Sequence, residues 1–154
     1  MDPLTTLLEQ AEADRNRALA AFNLSRARCD AARAQAAQLE AYRRDYQQRW
    51  SAQFALGAGL DIVRCYQGFA DRLETAITQQ GHALAQAQVA QARAGDALSA
   101  QELRVASVRK LIDRRVQAQR QVLERREQKA DDEHAMRVAL ARDSNGRRLN
   151  GVRT

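Results

Sequence analysis

Proline, cysteine, aromatic residues and long apolar runs are all scarce in this sequence, and each shortage removes a class of structure. A single proline, Pro3, leaves the rest of the chain free of the residue that breaks helices. Two cysteines, Cys29 and Cys65, are too few for a disulfide framework. No apolar run approaches the roughly 20 residues that span a bilayer. The opening MDPLTTLLEQ has no basic segment followed by an apolar one, so no secretory leader is expected. Leu, Ile, Val and Phe together number 30 of 154 residues while alanine alone numbers 31, so a broad compact core is not expected.

What is present is helical material. Ala, Glu, Lys, Leu and Arg sum to 80 residues, about half the chain, the composition of long helices and coiled coils rather than sheets. Charge is uneven: residues 1–103 hold 11 Arg against 12 acids, whereas residues 104–154 hold 14 Arg and Lys against 7 acids, so the net charge of +6 is C-terminal. A basic end suits an acidic protein surface, nucleic acid or lipid headgroups, and composition does not choose among them.

Pro3 suits the first turn of a helix, with Asp2 ahead of it as a cap. From Leu4 a heptad seam runs through Leu8, Ala11, Ala18, Phe22, Cys29, Ala32, Ala36, Leu39, Tyr46 and Trp50, interrupted at Arg15 and Arg43. With no Gly or Pro from Leu4 to Leu56, a first helix is predicted over residues 3–56, about 80 Å long. Gly57 and Gly59 mark a turn over 57–61, with Asp61 as the expected cap of a second helix over 62–142. Its pattern is Tyr66, Phe69, Leu73, Ile77, Leu84, Ala87, Ala94, Leu98, Val105, Val108 and Ile112, and Gly68, Gly81 and Gly95 read as tolerated soft points rather than hinges. The Ser-, Asn- and Gly-bearing close of the chain, 143–154, is expected to be a disordered basic tail.

Two such helices bury their stripes against each other, so the expected fold is all-α, an antiparallel coiled-coil hairpin. A turn centred near Gly59 sets residue i opposite residue 118 − i, with Leu39 near Ala76 to Gln80, Phe22 near Leu98, Cys29 near Val89 and Met1 near Gln117. Residues 118–142 then overhang by about 37 Å within the basic C-terminal third, with six Arg and Lys against five acids of their own. Cys29 and Cys65 fall far apart along the axis and cannot pair within one hairpin.

Catalytic and metal chemistry find no foothold. GAGLD lacks the lysine and hydroxyl of a phosphate cradle, and His82 and His134 have no partner at ligand spacing. Asp131 to Glu133 are consecutive and splay over different sides of a helix, so neither metal nor cofactor is expected. Six of the seven aromatics, Tyr42, Tyr46, Trp50, Phe54, Tyr66 and Phe69, flank the turn. They suit two readings, packing of a splayed hairpin tip or a docking surface, for which Tyr66, Phe69, Ala70, Leu73, Ala76 and Ile77 offer an apolar face wider than one partner helix covers.

LEAYRRDYQQRW, a glycine-bearing turn and YQGFADRLETAITQQ resemble the FliJ family of the bacterial flagellar type III export apparatus. The pattern L-x-x-Y-x-x-x-Y, followed by F-x-x-x-L-x-x-A-I-x-x-Q, covers Leu39 to Gln80, while the flanking helices match only in kind. The resemblance implies a non-enzymatic central stalk that sits in the hexameric ring of the export ATPase FliI, contacts the export gate protein FlhA and binds export chaperones, in service of flagellum assembly and motility. It implies a cytoplasmic protein held peripherally at the inner membrane through that apparatus. The family's gate-contact face falls on Phe69, Leu73, Ala76 and Gln80, the last a departure where some members carry histidine. A ring contact is expected on the basic end, at Arg120, Val122, Leu123, Arg125, Arg126 and Lys129. The YscO-like stalk of a virulence injectisome shares the architecture and is the alternative. A third class, an Arg-rich coiled coil on nucleic acid, is disfavoured because Glu124, Glu127 and Asp131 to Glu133 would face phosphates.

Overall fold

In the computed structural model, which describes residues 2–151, the chain forms two helices, α1 (Pro3–Ala55) and α2 (Leu60–Asn150), and no strand among the described residues. It divides into two compact units, one of residues 7–105 and one of residues 1–6 with 106–154.

The first turn of α1 is capped as its residue types demand. Asp2 accepts the Leu4 amide through Oδ1 at 3.2 Å and the Thr6 amide through its carbonyl at 3.3 Å, leaving Pro3 where no amide is needed. At the other end the Leu56 amide donates to the Gln53 carbonyl and the Gly57 amide to that of Phe54, tightening the last turn. Gly57 then takes φ +91°, which stops the helix and which a side chain would strain. The second helix begins earlier than expected: Gly59 stands before it, its carbonyl accepting the Ile62 and Val63 amides, while Asp61 lies inside the first turn. There its charge still favours the positive end of the helix dipole, which explains why an acid near this boundary does not mark the cap itself.

Within residues 7–105 the two helices pack antiparallel in the expected register. Arg104 bonds Asp14 at 2.9 Å, and these positions add to 118. Arg43 bonds Glu74 at 2.9 Å and Phe22 lies on Gly95, and both of those pairs add to 117. Phe22 therefore lies over Gly95, one turn from Leu98. The core is thin, with Ala11, Cys29, Leu73 and Val105 buried and no buried polar or charged residue among those described. The seam interruptions are handled locally. Arg15 donates to Asn16 Oδ1, and half-buried Arg43 is held between Glu40 at 2.6 Å and Glu74 at 2.9 Å. The hydrogen bond that Arg43 donates to Glu74 leads the causes that raise its guanidinium above the ordinary range. Cys29 is buried and Cys65 exposed, both as free thiols.

In the other unit, Asp2 pairs with Arg115 at 2.8 Å and Val108 is buried. Met1, the expected neighbour of Gln117, lies outside the described residues. From Asp113 to Asn150 every residue is exposed. Here α2 passes Arg142, where its end was expected, and residues 143–150 are helical rather than tail. Ser144 donates to the Ala141 carbonyl, Arg147 pairs with Asp143 at 3.3 Å, and Arg147 and Arg148 in the last turn suit the negative end of the dipole. The last part of the expected tail, residues 152–154, lies outside the described residues.

Helix α2 runs unbroken through Gly68, Gly81 and Gly95. A Cβ at Gly81 meets nothing within 4 Å, whereas one at Gly95 would meet Phe22 Cε2 at 3.4 Å. Gly81→Ala is therefore expected to raise stability by about 1 kcal/mol, read as a higher urea midpoint at unchanged slope. Gly95→Ala should gain less, because Phe22 must adjust.

Candidate interaction surfaces

The sequence builds one end of the hairpin from aromatics and the far part of α2 from arginine. At the aromatic end, heptad spacing on both helices brings all six rings into one continuous cluster. Tyr46 is its centre, with ring centroids 4.5 Å from Phe69, 5.4 Å from Tyr66, 6.0 Å from Trp50 and 6.3 Å from Tyr42. Trp50 and Phe54 continue it, each touching Tyr66 at 5.4 and 5.2 Å. The rings thus pack the tip. Those left with substantial free surface are Tyr42, 52% exposed, and Phe69, 36% exposed.

The four residues of the expected gate-contact stripe differ in environment. Leu73 is 7% exposed and packs in the core. Ala76 is half-buried, and Gln80 is half-buried with its Nε2 donating to the Ala32 carbonyl at 3.1 Å. Phe69 edges Tyr42 at 6.1 Å and presents the largest free apolar surface of the four. The stripe therefore straddles the seam, and the wide face drawn from Tyr66, Ala70 and Ile77 is half-buried against α1.

On the basic part of α2, all six expected ring-contact residues are exposed. Val122, Leu123 and Arg126 share a shallow groove with Arg115, Ala118 and Gln119, while Arg120, Arg125 and Lys129 do not line it. Val122 and Leu123 are 47% and 56% exposed, and Met136, Val138 and Leu140 are exposed further on. Arg120, Arg125, Arg126 and Lys129 make no ion pair among the described residues, unlike Arg43, Arg104 and Arg115. Exposed apolar side chains thus stand in two separate groups here, Val122 with Leu123 and Met136 with Val138 and Leu140.

One surface escaped the sequence reading. At the turn, Leu56 is 89% exposed, Leu60 67% and Ile62 42%. The signal was available in FALGAGLD, where turn residues of the polar kind are replaced by leucines beside glycines. No group of three His, Cys, Asp or Glu able to hold a metal ion occurs among the described residues. No described helix is long and apolar enough to cross a membrane.

Comparison with known proteins found no matching curated protein and no matching solved structure. The profile of the flagellar FliJ protein family, by contrast, matches residues 1–144, through the aromatic tip and nearly to the end of α2. The chain belongs to the flagellar FliJ protein family.

Proposed function

We propose that this protein is a non-enzymatic central stalk and adaptor of flagellar type III export, joining the hexameric export ATPase FliI to the export gate protein FlhA and receiving export chaperones. Family membership makes it a component of flagellar protein export. The observation that carries the finer reading is the state of α2 from Asp113 to Asn150, helical and wholly exposed, with apolar side chains near Arg120, Arg125, Arg126 and Lys129, which make no ion pair among the described residues. An isolated helix with an uncovered apolar strip gains by binding another surface. The cations Arg120, Arg125, Arg126 and Lys129, interleaved with Glu124 and Glu127, would select a surface of mixed charge with acids at matching positions, such as the rim of an ATPase ring.

The gate contact is assigned to the other end, through Phe69 and Tyr42, the free edges of the aromatic cluster. Leu73, Ala76 and Gln80 act there mainly by fixing the face that carries Phe69. The protein is then cytoplasmic and reaches the inner membrane through its partners. A flagellar rather than injectisome system is favoured by the family matched. Nucleic acid is not a partner in this reading, since Glu124, Glu127 and Asp131 to Glu133 are exposed among the same cations and would repel phosphate. The test is capture of purified FliI and of the cytoplasmic part of FlhA by the immobilised full chain. Both should be retained, and Phe69→Ala should release FlhA alone; retention of neither would remove the adaptor reading.

A further inference from the structure

We propose that the apex of the hairpin is a lipid anchor, Leu56, Leu60 and Ile62 entering the interfacial zone of a bilayer that carries anionic headgroups. These three side chains are 89%, 67% and 42% exposed, at a position where turns ordinarily place Asn, Asp or Ser. The apolar zone is extensive in sequence as well. Trp50 to Val63 contains one charged residue, Asp61, in a chain that is 29% charged. An exposed apolar patch with a charged rim marks a contact with protein or membrane.

The order of chemistry behind the apex favours the membrane. Leucines come first. Half-buried Trp50 and Tyr66 follow, their centroids 5.4 Å apart, with Trp50 six residues or about 9 Å from Leu56 along α1. Each helix also carries an exposed arginine at this level, Arg49 one residue farther from the apex than Trp50 and Arg64 two residues nearer than Tyr66, neither in an ion pair among the described residues. An apolar tip backed by amphipathic rings and cations at one level suits the passage from acyl chain to headgroup. A protein pocket would have to receive a convex tip whose loop is two glycines and an alanine, offering little side-chain shape to recognise. With Asp61 opposing two arginines, the preference for anionic lipid should be modest and the leucines should carry the binding. An anchor of this size is weak alone and needs a second attachment, which an export partner would supply.

The inference stands on the apex alone and is tested with no export protein present. Trp50 is the single tryptophan and reports on its own surroundings. The full chain is mixed with vesicles of phosphatidylcholine containing about 30 mol % phosphatidylglycerol. Trp50 emission should shift to shorter wavelength and be quenched by lipids brominated near the headgroup end of the acyl chain. The double variant Leu56→Ser with Leu60→Ser removes only exposed side chains, so its helicity should be unchanged, while its partitioning should weaken at least about tenfold. Equal partitioning of both proteins with Trp50 unquenched would assign vesicle binding to the basic part of α2 and overturn the proposal. Absence of binding by either protein would also overturn it. If the double variant then failed to capture FlhA, the apex would be a protein contact instead.

Discussion

Tyr46→Ala will destabilise the hairpin by about 3 kcal/mol, the lower part of the range for deleting a packed aromatic side chain. Tyr46 is the ring that Tyr42, Trp50, Tyr66 and Phe69 all touch, so its loss opens a cavity and breaks several ring pairs worth roughly 0.5–1.5 kcal/mol each. The rest of the seam cannot compensate. Its buried or half-buried leucines and valines, such as Leu39, Leu73 and Val105, are spaced by small residues on α1, Ala11, Cys29, Ala32 and Ala36, whose burial contributes little per residue. Tyr42→Ala, at a ring 52% exposed, should cost less than about 1 kcal/mol. Urea unfolding followed by far-ultraviolet circular dichroism separates the two. Comparable small losses for both would mean that the cluster does not anchor the hairpin.

The helices were legible because their signals agree at every level, from Asp2 and Pro3 at the start to the glycine-free heptads up to Leu56. The register was legible because a short turn leaves it no freedom, and the Asp14 to Arg104 pair falls on it. Boundaries were harder. An aspartate serves equally as cap or in the first turn, so Asp61 could not be told from Gly59 as the residue before α2. The Ser, Asn and Gly near the end suggest coil, whereas residues 143–150 continue the helix, with Ser144 bonded to the Ala141 carbonyl and Arg147 paired with Asp143.

The site was read less completely, for a geometric reason. Periodicity says that Phe69, Leu73 and Ala76 share a face, but the crossing of the helices decides how far that face turns inward, and it buries Leu73 while leaving Phe69 open. Leu56 and Leu60 fall outside both heptad series, at the end of the expected first helix and in the expected turn, where periodicity says nothing about exposure. Gln80, expected in the gate stripe, has a role no pattern reveals, a hydrogen bond donated to the Ala32 carbonyl across the hairpin.

The second large effect concerns α2 beyond Gln117. The strip from Ala118 onward holds Val122 and Leu123 in an open groove and four cations, Arg120, Arg125, Arg126 and Lys129, with no acid committed to them. A ligand that binds an assembled ring and not its separate subunits stabilises the assembled state in proportion to that difference, so a strip engaging FliI should promote assembly and hydrolysis. A chain ending at Gln117 keeps the Asp2 to Arg115 pair, Val108 and the whole aromatic tip. It should remain helical and still bind FlhA. The effect on the ATPase should weaken with added salt, since exposed charges are screened within about 8 Å at physiological ionic strength.

The decisive measurement is FliI hydrolysis with increasing amounts of full chain or of chain 1–117, with FlhA capture measured on the same preparations. The full chain should raise the rate, and chain 1–117 should leave it at the level of FliI alone while capturing FlhA undiminished. Equal stimulation by both chains would contradict the account, and the assignment of tip to gate and basic helix to ring would have to be reversed.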